Sequence, residues 1–269
     1  MHPVLFNVGH VPIYSYSLFV VLAFFAGFIY AYLEARRLGE DPDKIVDLAL
    51  YIFISAIIGA RVLHVIVDWR RFIHDPVAVF KIWQGGLVYY GGFILAIITC
   101  VVFIKYHKLN LGKWADLLAP VAMIALAVGR IGCFLNGCCY GKAAPPDLPW
   151  AVVYPPGRLP LHLDGVPVHP TPIYSSITAA IIAVLLILLS RIKRRNGQVV
   201  WCMFLFYAAA RFVLEYYRAD PRGHIQALNL STSQAIGVPI MIVSLGALIY
   251  LEIKSRSSGS QGKPRIETT

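Results

Sequence analysis

Charge is what this sequence has least of. Only 14% of its 269 residues are charged, whereas soluble domains carry about 25%. Acidic residues are the scarcer kind: 14 Asp and Glu stand against 24 Lys and Arg, for a net charge of +10. A basic excess can signal nucleic acid. Here the basic residues sit between hydrophobic runs, as in membrane loops, and no nucleic-acid partner is expected. Cysteine is also sparse. Cys100, Cys133, Cys138, Cys139 and Cys202 form no secreted disulfide framework, and Cys100 and Cys202 lie inside apolar runs. The N-terminus lacks a basic stretch before its first apolar run and lacks a small-residue cleavage site. No removable signal peptide is expected, and the first apolar segment stays as a membrane helix. There is no internal repeat and no matched pair of interrupted helices, which argues against a small-solute transporter.

What the chain does have is hydrophobic length. It is 58% hydrophobic, with a mean hydropathy of +0.67. A spanning helix needs about 20 mostly apolar residues. Seven segments qualify: 14–33, 46–67, 86–105, 114–136, 173–190, 198–217 and 233–252. Backbone polar groups must be satisfied inside lipid, so these segments predict an all-α integral membrane protein with seven transmembrane helices. The loops after spans 1, 3 and 5, together with the C-terminal tail, carry fourteen Lys and Arg; the N-terminus and remaining loops carry seven. The positive-inside rule then places the N-terminus outside and the C-terminus in the cytoplasm. The proline-rich stretch of about 138–172, between spans 4 and 5, becomes an ordered extracytoplasmic element. Residues 1–255 read as a single membrane domain, and the polar stretch 256–269 as a disordered cytoplasmic tail.

Three basic residues remain outside the loops: Arg61, Arg130 and Arg211. Glu215 follows Arg211 one helical turn later. A charge inside a span is expensive, so it has a partner or a polar site. Arg211 and Glu215 fit an i,i+4 ion pair. Arg61 follows Gly-Ala and has the stem length to snorkel to the outer interface. Arg130 lies near the outer end of span 4 between Gly129 and Gly132, and small neighbours let a ligand or another backbone approach. The planar guanidinium binds phosphate through two parallel hydrogen bonds. At a bilayer edge the abundant anion is a lipid head group. The residues therefore point to a lipid-accessible site where Arg130, with Arg211, neutralises a phosphate; lipid anchoring without chemistry is the rival reading. In W-Q-G-G-L-V-Y-Y-G-G (83–92), Tyr89 reads as an interfacial aromatic. Tyr90, followed by Gly91 and Gly92, is expected to face a cavity.

The chain resembles the bacterial prolipoprotein diacylglyceryl transferase family. The resemblance rests on Y-S-L at 16–18, G-A-R at 59–61, G-G-L-V-Y-Y-G-G at 85–92, D-L-L-A-P at 116–120, and G-R-I-G-C-F-L-N-G-C-C-Y-G at 129–141. It continues through H-P-T-P-I-Y at 169–174, R-F-V-L-E-Y-Y-R-A-D at 211–220 and L-S-T-S-Q at 230–234. It implies a multi-pass enzyme of the bacterial inner membrane, working with membrane lipids and without a cofactor. Such an enzyme moves the diacylglyceryl group of phosphatidylglycerol to the lipobox cysteine thiol of a prolipoprotein signal peptide, forming a thioether and releasing glycerol phosphate. By motif, the resemblance makes Arg130 the head-group arginine and Arg211 a second essential arginine. Asn136, Gly137 and Gly141 complete the signature. Tyr16 matches an important tyrosine, and Glu215 and Arg218 match the acid and the further arginine of the R-F-x-x-E segment. Tyr90, Gly91, Gly92 and Arg61 are carried as candidate site residues.

The chain also departs from that pattern. The best-known members of the family have His-Gly-Gly where Tyr90-Gly91-Gly92 stands, and that histidine has been proposed as a base. A tyrosine hydroxyl ionises near about 10 against about 6.5 for histidine, so it is a weak base at neutral pH. Cys133 and Cys138 replace the usual Asn and Glu of the signature. A lipid-binding relative without transferase activity, or a transferase with another acceptor, is therefore the alternative. No metal is expected at C-x4-C-C, because adjacent cysteines ligate one ion only with strain and His162 and His169 are distant in sequence. Small packing residues are the preferred reading of the cysteines; a disulfide involving Cys133 or the 138–139 pair at an oxidising outer face, or a reactive thiolate near Arg130, is the alternative.

Overall fold

The computed structural model describes residues 2–9, 11–145, 147–219, 224–225 and 230–260. Its seven long apolar helices are α1 (Ser15–Arg37), α2 (Asp43–Val67), α4 (Tyr89–Tyr106), α5 (Leu111–Asn136), α6 (Thr171–Ile192), α7 (Gln198–Glu215) and α8 (Thr232–Ser260). Each is long and apolar enough to cross a membrane. Most boundaries fall within four residues of the hydropathy reading, because a span is a local property of composition. The exception is the last: α8 runs through Ser260, so residues 256–260 are helical where a disordered tail was expected. An established helix adds each further residue at little cost. The rest of that tail, like the end of R-F-V-L-E-Y-Y-R-A-D at Asp220, lies outside the described residues.

Hydropathy gave no sign of the short elements. A hairpin of β1 (Val4–Val8) and β2 (Val11–Tyr14) precedes α1, and a short pair, β3 (His224–Ile225) and β4 (Leu230–Ser231), precedes α8. The six-residue helix α3 (Trp69–His74) follows α2. Ser231 and Gln234 start α8 with a capping box. The Gln234 amide N–H donates to Ser231 Oγ (3.2 Å) while Gln234 Oε1 accepts from the Ser231 amide (3.1 Å). The L-S-T-S-Q motif thus has a local structural reason.

The chain forms two compact units, Tyr30–Trp114 and the combination of Met1–Ile29 with Ala115–Thr269. In the first, α2 packs on α4 through small residues. A Cβ on Gly92 would lie 2.7 Å from the Ala56 carbonyl oxygen, and Gly59 and Gly91 each occupy the space a Cβ on the other would need. Near the α1–α2 turn, Glu40 binds Lys113 Nζ (2.5 Å) and accepts from Trp114 Nε1 (3.1 Å). In the second unit, Ala119 and Met123 of α5, Ile182, Ala183 and Leu186 of α6, and Val199 of α7 form a buried core. At one end of that core Asp116, 1% exposed, binds Lys193 Nζ at 2.6 Å. The same carboxylate accepts the backbone N–H groups of Gly197 (2.8 Å) and Val200 (3.0 Å). It therefore serves the unsatisfied amides at the start of α7.

Candidate active site

In the larger unit, three helical stripes converge. Leu126 and Arg130 lie one turn apart on α5. Ser175, Thr178 and Ala179 follow i, i+3, i+4 spacing on α6, and Tyr207, Ala210, Arg211 and Leu214 follow i, i+3, i+4, i+7 on α7. Together they line one cavity of about 10 Å³, room for about one water. Two guanidiniums lining one small cavity in a hydrophobic setting call for anionic company. Arg211 has it: its Nη1 lies 2.5 Å from Glu215 Oε2, and its Nη2 donates to Ser233 Oγ at 3.1 Å. The expected i,i+4 pair is present.

The signature after Arg130 forms a helix terminus. Gly137, at φ +80°, is left-handed. Its N–H bonds the Phe134 carbonyl, and the Cys138 N–H bonds the Cys133 carbonyl, both at 3.1 Å. This is a Schellman cap, and it brings the side chains at the Cys133 and Cys138 positions together. Asn136 is its last helical residue, and its side chain interacts with Cys138. Cys139 is left-handed as well, at φ +61°, uncommon for a residue with a side chain. The reversal turns its thiol back toward the other two, and all three Sγ atoms lie within 4.8 Å of one another. The left-handed backbone at Cys139 is what sets these three cysteines apart from residues packed along a regular helix. Hydrogen bonding from Cys133 and Cys138, then the positive charges of Arg130 and Arg218, hold the Cys139 thiol well below its ordinary range.

Beyond the cap, three extended segments cross. The Gly141 N–H donates to the His169 carbonyl (3.1 Å), Lys142 to Tyr217 (2.8 Å), and Gly141 bridges Arg218. A Cβ on Gly141 would fall 2.5 Å from His169 O and 2.7 Å from Tyr217 O, so only glycine fits. Thr171 Oγ1 ties α6 to the Cys139 carbonyl at 2.6 Å. His169, Tyr174 and Tyr217 pack edge to face, and Trp150 Nε1 donates to the Tyr174 hydroxyl at 2.8 Å. On α1, the Tyr16 backbone sits at Gly132: a Cβ on Gly132 would lie 3.4 Å from Tyr16 Cα and 2.7 Å from Phe19 Cβ.

Arg218 is the residue the sequence reading undervalued, because it was counted with the loop charges. It is 5% exposed, and its charge acts on both Arg211 and Cys139. Its signal was its position seven residues after Arg211, two helical turns on in R-F-V-L-E-Y-Y-R.

The other candidates belong to the smaller unit. Arg61 does not snorkel. It is 7% exposed, and its donors reach the carbonyls of Val79 (2.9 Å), Gly85 (2.7 Å), Gly86 (3.0 Å), Ala78 (2.5 Å) and Lys81 (3.4 Å). A guanidinium has five N–H donors, and here the backbone of 78–86 takes them. Arg61 organises that segment beside a cavity of about 80 Å³ that it shares with His64 and Arg71. Gly91 and Gly92 form the α2–α4 contact, and Tyr90, beside Tyr89, is 64% exposed and lines neither cavity.

A multi-pass helical membrane protein with an arginine pair at a cavity between spans is the class these features define. Comparison with known proteins makes it specific. The sequence model of prolipoprotein diacylglyceryl transferase matches residues 3–250, and the chain belongs to that family. Among its relatives, the phosphatidylglycerol–prolipoprotein diacylglyceryl transferase of Clostridium tetani is 34% identical, covering 91% of this chain and 96% of that protein. Those of Geobacter sulfurreducens and Bacillus velezensis are each 30% identical, covering 90% and 100% of this chain and 92% and 97% of theirs.

Proposed function

We propose that this protein transfers the diacylglyceryl group of phosphatidylglycerol to the lipobox cysteine thiol of prolipoproteins. The observation that carries the reading is the meeting of Arg130 and Arg211 at one cavity in a chain whose family match runs through both units. That match also favours residues 1–255 acting as one transferase domain. The positive-inside distribution favours the N-terminus and the signature cap facing outward, with the C-terminus in the cytoplasm of a bacterial inner membrane.

The chemistry follows from the charges. The acceptor thiol attacks the glycerol carbon that bears the phosphate. A carbon–sulfur bond forms as the carbon–oxygen bond breaks, the bonding pair leaves on the phosphate oxygen, and the thiol proton ends on the departing glycerol phosphate or solvent. Negative charge grows on the leaving phosphate. Arginines fixed at the cavity stabilise it without reorganising, and low dielectric strengthens the effect. Glu215 and Ser233 hold the Arg211 fork in place. A phosphodiester is larger than the one-water cavity, so the lining of α5, α6 and α7 opens on substrate entry. Asn136, Gly137 and Gly141 shape the signature beside it, and Tyr16 lies at the α1–α5 contact; a part for the Tyr90 hydroxyl in orienting substrate or assisting deprotonation rests on its motif position alone.

Purified protein, phosphatidylglycerol vesicles and a lipobox peptide provide the test. A mass gain of one diacylglyceryl group on the cysteine supports the reading; no thioether product, under conditions where a histidine-bearing relative turns over, removes it. Loss of turnover in Tyr90→Phe with unchanged thermal stability would keep that hydroxyl in the mechanism. Unchanged turnover would exclude it.

A further inference from the structure

The phosphate chemistry leaves one group of side chains unused. Cys133, Cys138 and Cys139 are the one set of at least three potential metal ligands gathered within reach of a single ion among the described residues. None of the three is joined in a disulfide. Their meeting is built by the Schellman cap at Gly137 and the left-handed Cys139, and Thr171 pins the Cys139 carbonyl. Zinc–sulfur bonds of about 2.3 Å put tetrahedral ligand sulfurs about 3.8 Å apart. Thiols within 4.8 Å reach that spacing with small side-chain rotations.

A second observation points into the same place. Tyr154 is 2% exposed, and its hydroxyl has no hydrogen-bond partner among the described residues. Its ring lies near Gly137, 3.7 Å from where a Cβ would sit there, and its hydroxyl is within electrostatic reach of all three cysteine sulfurs. A buried hydroxyl without a partner is costly. Thiolate sulfurs accept hydrogen bonds, and donors of this kind commonly support metal-bound ligands. Three thiolates and a divalent ion leave one net negative charge, and the positive charges of Arg130 and Arg218 act on Cys139.

We propose that Cys133, Cys138 and Cys139 bind one thiophilic closed-shell cation, zinc(II) or copper(I), through three thiolates, with the Tyr154 hydroxyl donating to a ligand sulfur. Binding replaces the protons still carried by the three sulfurs with one cation, and those protons pass to solvent. No electron is transferred. The site is separate from the cavity between α5, α6 and α7, and its occupancy is read without any transfer assay.

Cadmium(II) is the probe, because thiolate coordination produces an ultraviolet charge-transfer band. Full-length protein, purified in detergent under reductant, is titrated with cadmium(II), then separately with zinc(II) and copper(I), followed by elemental analysis. The expected result is about one ion per chain, with the band lost in Cys133→Ser, Cys138→Ser and Cys139→Ser and kept in Cys202→Ser. Tyr154→Phe is expected to bind about tenfold more weakly. No band with all thiols reduced, a band that survives loss of all three cysteines, or failure of both zinc(II) and copper(I) to bind overturns the proposal. If the cysteine variants do not fold, X-ray absorption of the zinc-loaded wild-type protein decides: three sulfur ligands support the site, and two or fewer overturn it.

Discussion

Gly59 of α2 and Gly91 of α4 stand face to face, each filling the room that a side chain on the other would need. The contact is reciprocal and involves backbone atoms, which cannot rotate away. Gly91→Ala and Gly59→Ala are therefore expected to separate the two helices and cost about 1–3 kcal/mol, as overpacking does. Thermal unfolding in detergent measures this. An unchanged midpoint for both variants would mean the helices do not cross there.

Asp116→Asn should be more damaging. The change leaves Lys193, whose side chain is 12% exposed, without its partner, and weakens the acceptor for two amides of the Gly197–Val200 turn. Breaking a buried pair from one side costs about 3–5 kcal/mol. Removing both charges together, in Asp116→Asn with Lys193→Met, is expected to recover part of that loss, and a double-mutant cycle on unfolding midpoints reports the coupling.

Arg130 and Arg211 carry the proposed phosphate contact. Arg130→Ala is expected to lower turnover about 100- to 1,000-fold, the usual effect of removing one preorganised donor, with little change in unfolding midpoint. Arg130→Lys keeps the charge but loses the two-pronged fork, so it should fall between wild type and the alanine variant. Transfer to a lipobox peptide, followed by mass, measures both. Wild-type turnover in Arg130→Ala would remove this residue from the reaction.

Glu40 supplies a pH dependence outside the spans. Burial alone would raise its carboxyl, but hydrogen bonds from Lys113 and Trp114, with the charges of Lys113 and Lys44, hold it below the ordinary glutamate range. A depressed folded value contributes stability that is present above the unfolded value of about 4.3 and is lost as pH falls through the folded one. The unfolding midpoint of the wild-type protein is therefore expected to drop more steeply than that of Glu40→Gln in this acid range. Parallel curves for the two proteins would show that Glu40 does not set it.

The helical spans were legible in the sequence because hydrophobic length is a local property: about 20 apolar residues cross a bilayer wherever they stand in the chain. The ion pair of Arg211 with Glu215 was legible for the same reason, since i,i+4 spacing guarantees proximity on a helix. The other outcomes depended on partners far away in sequence. Arg61 looked like a charge in search of an interface, until the carbonyls of residues 78–86 took its donors. Gly91 and Gly92 stood as candidate site residues, and the opposing helix α2 gave them a packing role. Arg218 read as a loop charge, yet the crossing of three extended segments at Gly141 buries it. C-x4-C-C puts two of its three thiols on adjacent residues, which ligate one ion only with strain. One left-handed residue, Cys139 at φ +61°, reverses a side chain and makes three thiols meet. Backbone handedness outside a helix is set by the segments that hold it, here through Thr171 and His169; tertiary structure alone decided it.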